Sequence, residues 1–231
     1  MNTQYLSIGD VPAVLYGDAA RDVYLYLHGQ CGYKEEAEPF AAFAARQGYQ
    51  VLSIDLPEHG ARKGQPTPLL PWTVVPELRR IMAYLTDRWD SVSLYAGSIG
   101  AWLGLLAFAD VPLRRCLFVS PVLDMEGLIR NMMTAAGVSE SRLQQERTIP
   151  TDFGQTLSWE YLTYVRAHPI TRWPHDTHIL YAGRDTMTPR PTVDAFVSRF
   201  GCRLTVMDDG EHWFHTPEQL AALRQWERLA L

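Results

Sequence analysis

The sequence predicts an α/β fold, a mostly parallel central sheet flanked by helices, with one small helical insertion. Strand-like and helix-like patterns alternate along most of the 231 residues, the arrangement that places helices over both faces of a parallel sheet. Val23-Tyr24-Leu25-Tyr26-Leu27 is apolar almost throughout, as expected of a strand buried on both sides. Between about 122 and 172 the alternation stops, with two or three helical patterns and no convincing strand.

Taken in order, Tyr5–Ile8 and Ala13–Tyr16, joined across Gly9-Asp10, form an opening hairpin. The strand 23–27 follows and ends at His28-Gly29. Glu38-Pro39 starts a helix with proline in its first turn, and Gly48 closes it. Gln50–Ile54 is the next strand. The stretch from Ala61 to Pro71 is rich in Pro and Gly and reads as a loop, and after Pro76 the apolar residues Leu78, Ile81, Met82 and Leu85 recur at helical spacing. Val92–Ala96 is a short strand that turns at Gly97-Ser98 into a helix. That helix carries Gly100 and Gly104 four apart; each glycine costs about 1 kcal/mol there, so the pair implies close packing on a strand. Cys116–Ser120 is a strand, and past the insertion the pattern resumes with strands at 178–182 and 203–207, each followed by a helix. Thr216-Pro217-Glu218-Gln219 has the capping-box pattern at the start of the last helix. The whole, residues 1–231, is expected to be a single domain with the insertion at about 122–172.

Composition narrows the function classes. The net charge is −5, and 19 of the 21 basic residues are arginines scattered along the chain, which gives nucleic-acid binding no support. No stretch reaches the roughly 18 uninterrupted apolar residues of a membrane span, and the first residues lack the pattern of a signal peptide. Cys31, Cys116 and Cys202 are odd in number and far apart, so structural disulfides and zinc are not expected, and a cytoplasmic location is.

Three residues stand out chemically. A serine hydroxyl holds its proton at neutral pH; as a nucleophile it needs a base in reach, an acid to orient that base, and donors for the oxyanion. Ser98 lies in Ala96-Gly97-Ser98-Ile99-Gly100, a small-residue turn between strand and helix. Asp185 follows the strand 178–182, and His212 follows the strand 203–207. Singly, each has an ordinary reading: a turn serine, a solvated loop aspartate, a partly buried ring. Together they lie beyond the carboxyl ends of three strands, the edge where ligands bind in open α/β sheets. Asp208 and Asp209 are rival acids, but both adjoin His212 in sequence.

The chain resembles the α/β-hydrolase superfamily over nearly its full length outside the insertion. Leu27-His28-Gly29, the serine elbow, Gly183-Arg184-Asp185 and Gly210-Glu211-His212 carry the resemblance. So does Asp55-Leu56-Pro57-Glu58-His59-Gly60 with Arg62, which is similar to small bacterial esterases related to dienelactone hydrolases and to prolyl-oligopeptidase catalytic domains. The resemblance implies Ser98 as nucleophile, His212 as base and Asp185 as its orienting acid, with the backbone N–H groups of Gln30 and Ile99 as oxyanion donors. It implies a small-molecule ester or related acyl substrate, no cofactor and no metal. The same triad also serves peptidases, acyltransferases and thioesterases, and the fold also occurs in non-catalytic binding proteins.

His59 and Arg62 are expected to fix their loop, with Arg62 also a candidate for an anionic substrate. Cys31, in the oxyanion loop that the resemblance implies, reads as a reactive thiol or, more commonly for such a cysteine, a small buried residue, and His215 as a surface or pocket-wall residue. Met125, Met132, Met133, Trp159 and Tyr161 are expected either to line an acyl pocket or to pack the insertion onto the body.

Overall fold

In the computed structural model, which describes residues 1–231, the chain opens with β1 (Thr3–Ile8), β2 (Val11–Tyr16) and β3 (Asp22–Leu27). It continues through α1 (Glu38–Ala44), β4 (Tyr49–Ile54), α2 (Pro71–Thr86), β5 (Ser91–Gly97), α3 (Ser98–Phe108) and β6 (Cys116–Val119). Next come α4 (Met125–Ala135), α5 (Glu140–Glu146), the short strands β7 (Thr148–Pro150) and β8 (Thr156–Ser158), and α6 (Trp159–Ala167). The chain closes with β9 (Thr177–Ala182), α7 (Arg190–Phe200), β10 (Arg203–Met207) and α8 (Pro217–Ala230).

Eight strands form one sheet in the order β1-β2-β4-β3-β5-β6-β9-β10. β2 runs antiparallel to both β1 and β4, and every later pairing is parallel. Side-chain alternation divides the core. Val23, Leu25 and Leu27 of β3, Leu94 of β5 and Ile179 of β9 face α2, α3 and α7; Tyr24, Tyr95 and Leu180 face α1 and α8. Burial on both faces explains why these strands read as apolar runs.

The expected helix after Pro76 begins earlier, at Pro71, and contains Pro76. Pro71 suits the first turn, where its missing N–H has no partner to lose, whereas Pro76 forfeits one bond. Trp72, Val74 and Val75 belong to the helix nonetheless because Val74 and Val75 pack into the core beside Leu78.

The absence of strands expected between 122 and 172 is corrected: β7 and β8 form an antiparallel pair of their own. Three-residue strands are too short for a period-two pattern to emerge. Around them α4, α5 and α6 are tied by one side chain, Arg166, whose Nε donates to Glu126 while its two terminal nitrogens donate to Glu140. Leu128, Ile129, Met133, Leu143 and Leu162 join the same apolar cluster as the strands and α3. Trp102 of α3 stacks on Tyr161 of α6, with centroids 5.8 Å apart. Met125 and Met133 are buried in this contact region, and Met132, Trp159 and Tyr161 are partly buried against it. No helix is long and apolar enough to cross a membrane.

Backbone strain is concentrated at one edge of the sheet. Of the five non-glycine residues with positive φ, four lie in turns just beyond parallel strands: Cys31 after β3, Glu58 after β4, Ser98 after β5 and Ser120 after β6. The left-handed conformation costs such residues roughly 1–2 kcal/mol each.

Candidate active site

Ser98 directly follows β5 and starts α3 with φ +46°, so the strand is converted to helix within one residue. A turn this sharp needs small neighbours. A Cβ at position 100 would lie 2.5 Å from the His28 carbonyl oxygen and 2.8 Å from that of Leu27, so glycine alone lets α3 lie against the end of β3. Gly29 faces the serine itself: a Cβ there would be 3.2 Å from the Ser98 Cβ.

Asp185 and His212 reach the same place from the two strands at the far side. Gly183 N–H donates to the Met207 carbonyl at 2.7 Å and Arg184 N–H to that of Gly210 at 2.9 Å, lacing the turn after β9 to the turn after β10. The Ser98 hydroxyl lies 2.8 Å from His212 Nε2, and His212 Nδ1 lies 2.7 Å from Asp185 Oδ2. The partners define the tautomer: the carboxylate accepts, so Nδ1 carries the proton and Nε2 is left to accept from the hydroxyl. The other oxygen of Asp185 accepts from the N–H groups of Met187 (2.7 Å) and Thr188 (3.1 Å). The Asp185 side chain is wholly shielded from water, whereas that of His212 keeps 19% of its exposure and opens toward the surface.

Thr188 links the Asp185 turn to the Ser98 turn. Its hydroxyl donates to the Pro121 carbonyl at 2.9 Å, and its own carbonyl accepts from the Tyr181 hydroxyl at 3.0 Å. One residue past Pro121, Val122 N–H donates to the Ser98 carbonyl at 3.1 Å. Sequence reasoning missed Thr188, and no local signal marks it, because its partner is 67 positions away.

Gln30 is in the turn after β3, and its N–H has no acceptor within the protein. Ile99, the second residue of α3, presents its N–H in the first turn, where a helix has donors to spare. Asp209 pairs with Arg184 at the surface, not with His212. His215 is exposed and stacks on Trp213, which is 75% exposed.

Two expectations are corrected. Arg62 is buried and makes a bidentate pair with Glu77 at 2.7 and 2.9 Å, so no solute can reach its guanidinium. Cys31 is exposed, because it lies in the turn beyond the end of β3 and not within the sheet.

A cavity of about 250 Å³ opens between α4, α6 and α7, lined by Trp102, Leu123, Met125, Val165, Ile170 and Phe196 among others. Trp102 lies one helical turn beyond Ser98.

No curated protein matches the sequence. Among solved structures, Est1E from Butyrivibrio proteoclasticus with ferulic acid bound is 16% identical, with a TM-score of 0.78 over 98% of this chain and 96% of that one. Alpha/beta hydrolase domain-containing protein 10 from mouse is 12% identical, with a TM-score of 0.74 over 98% and 96%. A thioesterase domain from the curacin biosynthetic pathway is 18% identical, with a TM-score of 0.63 over 98% and 99%. At such identities the likeness is one of fold. The family model described as alpha/beta hydrolase family matches residues 24–223, nearly the whole length, and the chain therefore belongs to the alpha/beta hydrolase family.

Proposed function

We propose that this hydrolase is a serine esterase, cleaving a carboxylic ester or related acyl bond of a small molecule through an acyl-enzyme. The observation that carries the reading is the unbroken line Ser98 Oγ–His212 Nε2–Nδ1–Asp185 Oδ2, with contacts of 2.8 and 2.7 Å. Ser98 attacks the acyl carbon as its proton passes to His212 Nε2. Asp185, fixed by two backbone donors, stabilises the imidazolium that results. Negative charge on the former carbonyl oxygen is met by the N–H groups of Gln30 and Ile99. His212 then returns the proton to the leaving alcohol, which departs as the carbonyl re-forms. Water enters, gives a proton to the same nitrogen and attacks the acyl-enzyme; as the carbonyl re-forms, the Ser98 C–O bond breaks, His212 Nε2 returns the proton to Ser98 Oγ, and the acid is released.

The elements of 122–172 act as a cap whose fit over the sheet edge sets the acyl group accepted. The same triad would serve a thioester or an amide. A non-catalytic binding role has less support, because such a protein has no need of three aligned groups. The three free thiols, one of them exposed, suit a reducing compartment such as the cytoplasm.

The test is labelling with a fluorophosphonate, read by mass on the Ser98 peptide, alongside hydrolysis of p-nitrophenyl esters of graded acyl length. Both are expected for the native chain and neither for Ser98→Ala. Undiminished hydrolysis by Ser98→Ala would falsify the assignment.

A further inference from the structure

Two buried histidines hold the turns after β3 and β4 in a reciprocal clasp. His28, after β3, donates from Nδ1 to the Gly29 carbonyl of its own turn at 2.8 Å, and its Nε2 accepts the Leu56 N–H of the other at 3.0 Å. His59, after β4, donates from Nδ1 to the Pro57 carbonyl of its own turn at 2.7 Å, and its Nε2 accepts the Cys31 N–H at 2.9 Å. A backbone N–H only donates and a carbonyl only accepts, so both rings are fixed in the same neutral tautomer. Their centroids are 5.1 Å apart. Lys34 and Asp55 close the far end of the clasp: Lys34 N–H donates to Oδ1 at 2.8 Å and its ammonium to Oδ2 at 2.9 Å.

Gln30 lies at the centre of what the clasp holds. In a trans peptide the C=O and N–H point opposite ways. The Gly29 carbonyl accepts from His28 and from Gly32 N–H (3.1 Å), so the Gln30 N–H of the same peptide is turned away from both. The next peptide, which carries the Cys31 N–H, is held by His59. Cys31 has φ +65° in this turn, a conformation a non-glycine residue leaves readily when its restraints are removed.

We propose that His59, through its bond to Cys31 N–H, is a positioning residue that aims the Gln30 N–H at the oxyanion. This rests on the reading of Ser98 as nucleophile. His59 touches no reacting atom. Its contribution is to keep a donor preorganised that a free turn would let swing away, and preorganisation is what gives oxyanion donors their large effect.

Two substitutions separate this role from simple packing. In His59→Gln the side-chain carbonyl reaches the place of Nε2 and still accepts from Cys31 N–H. In His59→Asn the shorter amide reaches only the place of Nδ1, keeping the Pro57 contact and losing Cys31. With p-nitrophenyl acetate, His59→Asn is expected to lower kcat by about 10- to 100-fold with KM within about threefold, up to the loss seen when an oxyanion donor is deleted. His59→Gln is expected to recover kcat to within about threefold of the native value. Hydrogen exchange of the peptide spanning 28–33 should quicken in the Asn variant and stay near native in the Gln variant, with thermal melts confirming that both are folded. Native kcat in a folded His59→Asn protein, with Ser98→Ala inactive, would overturn the inference alone. Hydrolysis persisting in Ser98→Ala would instead remove the reading beneath it, and the inference with it. If the Asn variant does not fold while the Gln variant does but has lost kcat, the inference is equally refuted.

Discussion

Gly183 lies so close to Asp208 that a Cβ on it would sit 2.4 Å from the Asp208 carbonyl oxygen and 2.7 Å from its Cα. Both contacts are to backbone, which cannot rotate aside. This close approach is what lets the turns after β9 and β10 bring Asp185 and His212 within hydrogen-bonding distance.

Gly183→Ala is therefore expected to force the two turns apart. Overpacking of this kind costs about 1–3 kcal/mol, so the melting temperature should fall by several degrees. Activity of the folded fraction should fall further than stability does, because the His212–Asp185 contact of 2.7 Å spans the displaced turns. A variant with native kcat would show that the two turns can separate without disturbing the acid.

Thr188→Val keeps shape but removes the donor to the buried Pro121 carbonyl. Leaving that oxygen unpaired is expected to cost about 1–3 kcal/mol. Since the Thr188 N–H also holds Asp185, kcat should fall as well, and Thr188→Ser should restore both quantities. Denaturant titration and steady-state kinetics on the two variants provide the check.

Glu77→Gln leaves the buried Arg62 guanidinium without its carboxylate, a change that typically costs about 3–5 kcal/mol. For a chain of this size that corresponds to a fall of about 10 °C in melting temperature. Arg62 also bonds the carbonyls of Asp55 and His59, so a fall in kcat per folded molecule should accompany any displacement of the turn after β4. A melting temperature unchanged within 2 °C would contradict the buried-pair argument.

Acid should destabilise the fold from about pH 6.5 downward through its buried histidines. Burial lowers the His28 pKa to about 4, and also lowers those of His175 and His178. In the unfolded chain these rings take up protons below about pH 6.5. Between that value and the lower folded-state values the unfolded state binds more protons, so stability declines as pH falls from about 6.5 toward 4. His28 alone, 1% exposed, accounts for about 3 kcal/mol of that loss. Melts at pH 7, 5.5 and 4.5 are expected to show a progressive drop; a flat series would mean that these rings take up protons in the folded protein as readily as in the unfolded chain.

The sheet was legible in the sequence because its central strands are apolar on both faces and end in short glycine-containing turns. Ser98, Asp185 and His212 could be picked out for the same reason, each following such a strand. What could not be read depends on contacts between distant positions. Nothing near Arg62 in sequence announces Glu77, and nothing near Thr188 announces Pro121. His59 was visible as part of a loop motif, but its partner is 28 residues back in another turn. The strands β7 and β8 escaped because three residues are too few to show alternation.

The four left-handed residues at the ends of β3, β4, β5 and β6 have a consequence for how this protein can change. Their combined cost, roughly 4–8 kcal/mol, is comparable to the whole net stability of an ordinary domain. Glycine at any of them would relax the backbone, yet at Ser98 it would delete the proposed nucleophile and at Cys31 it would loosen the turn beside Gln30. Heat resistance and turnover thus compete at Ser98 and Cys31, whereas Glu58 and Ser120 are positions where a lineage could gain stability without touching the relay.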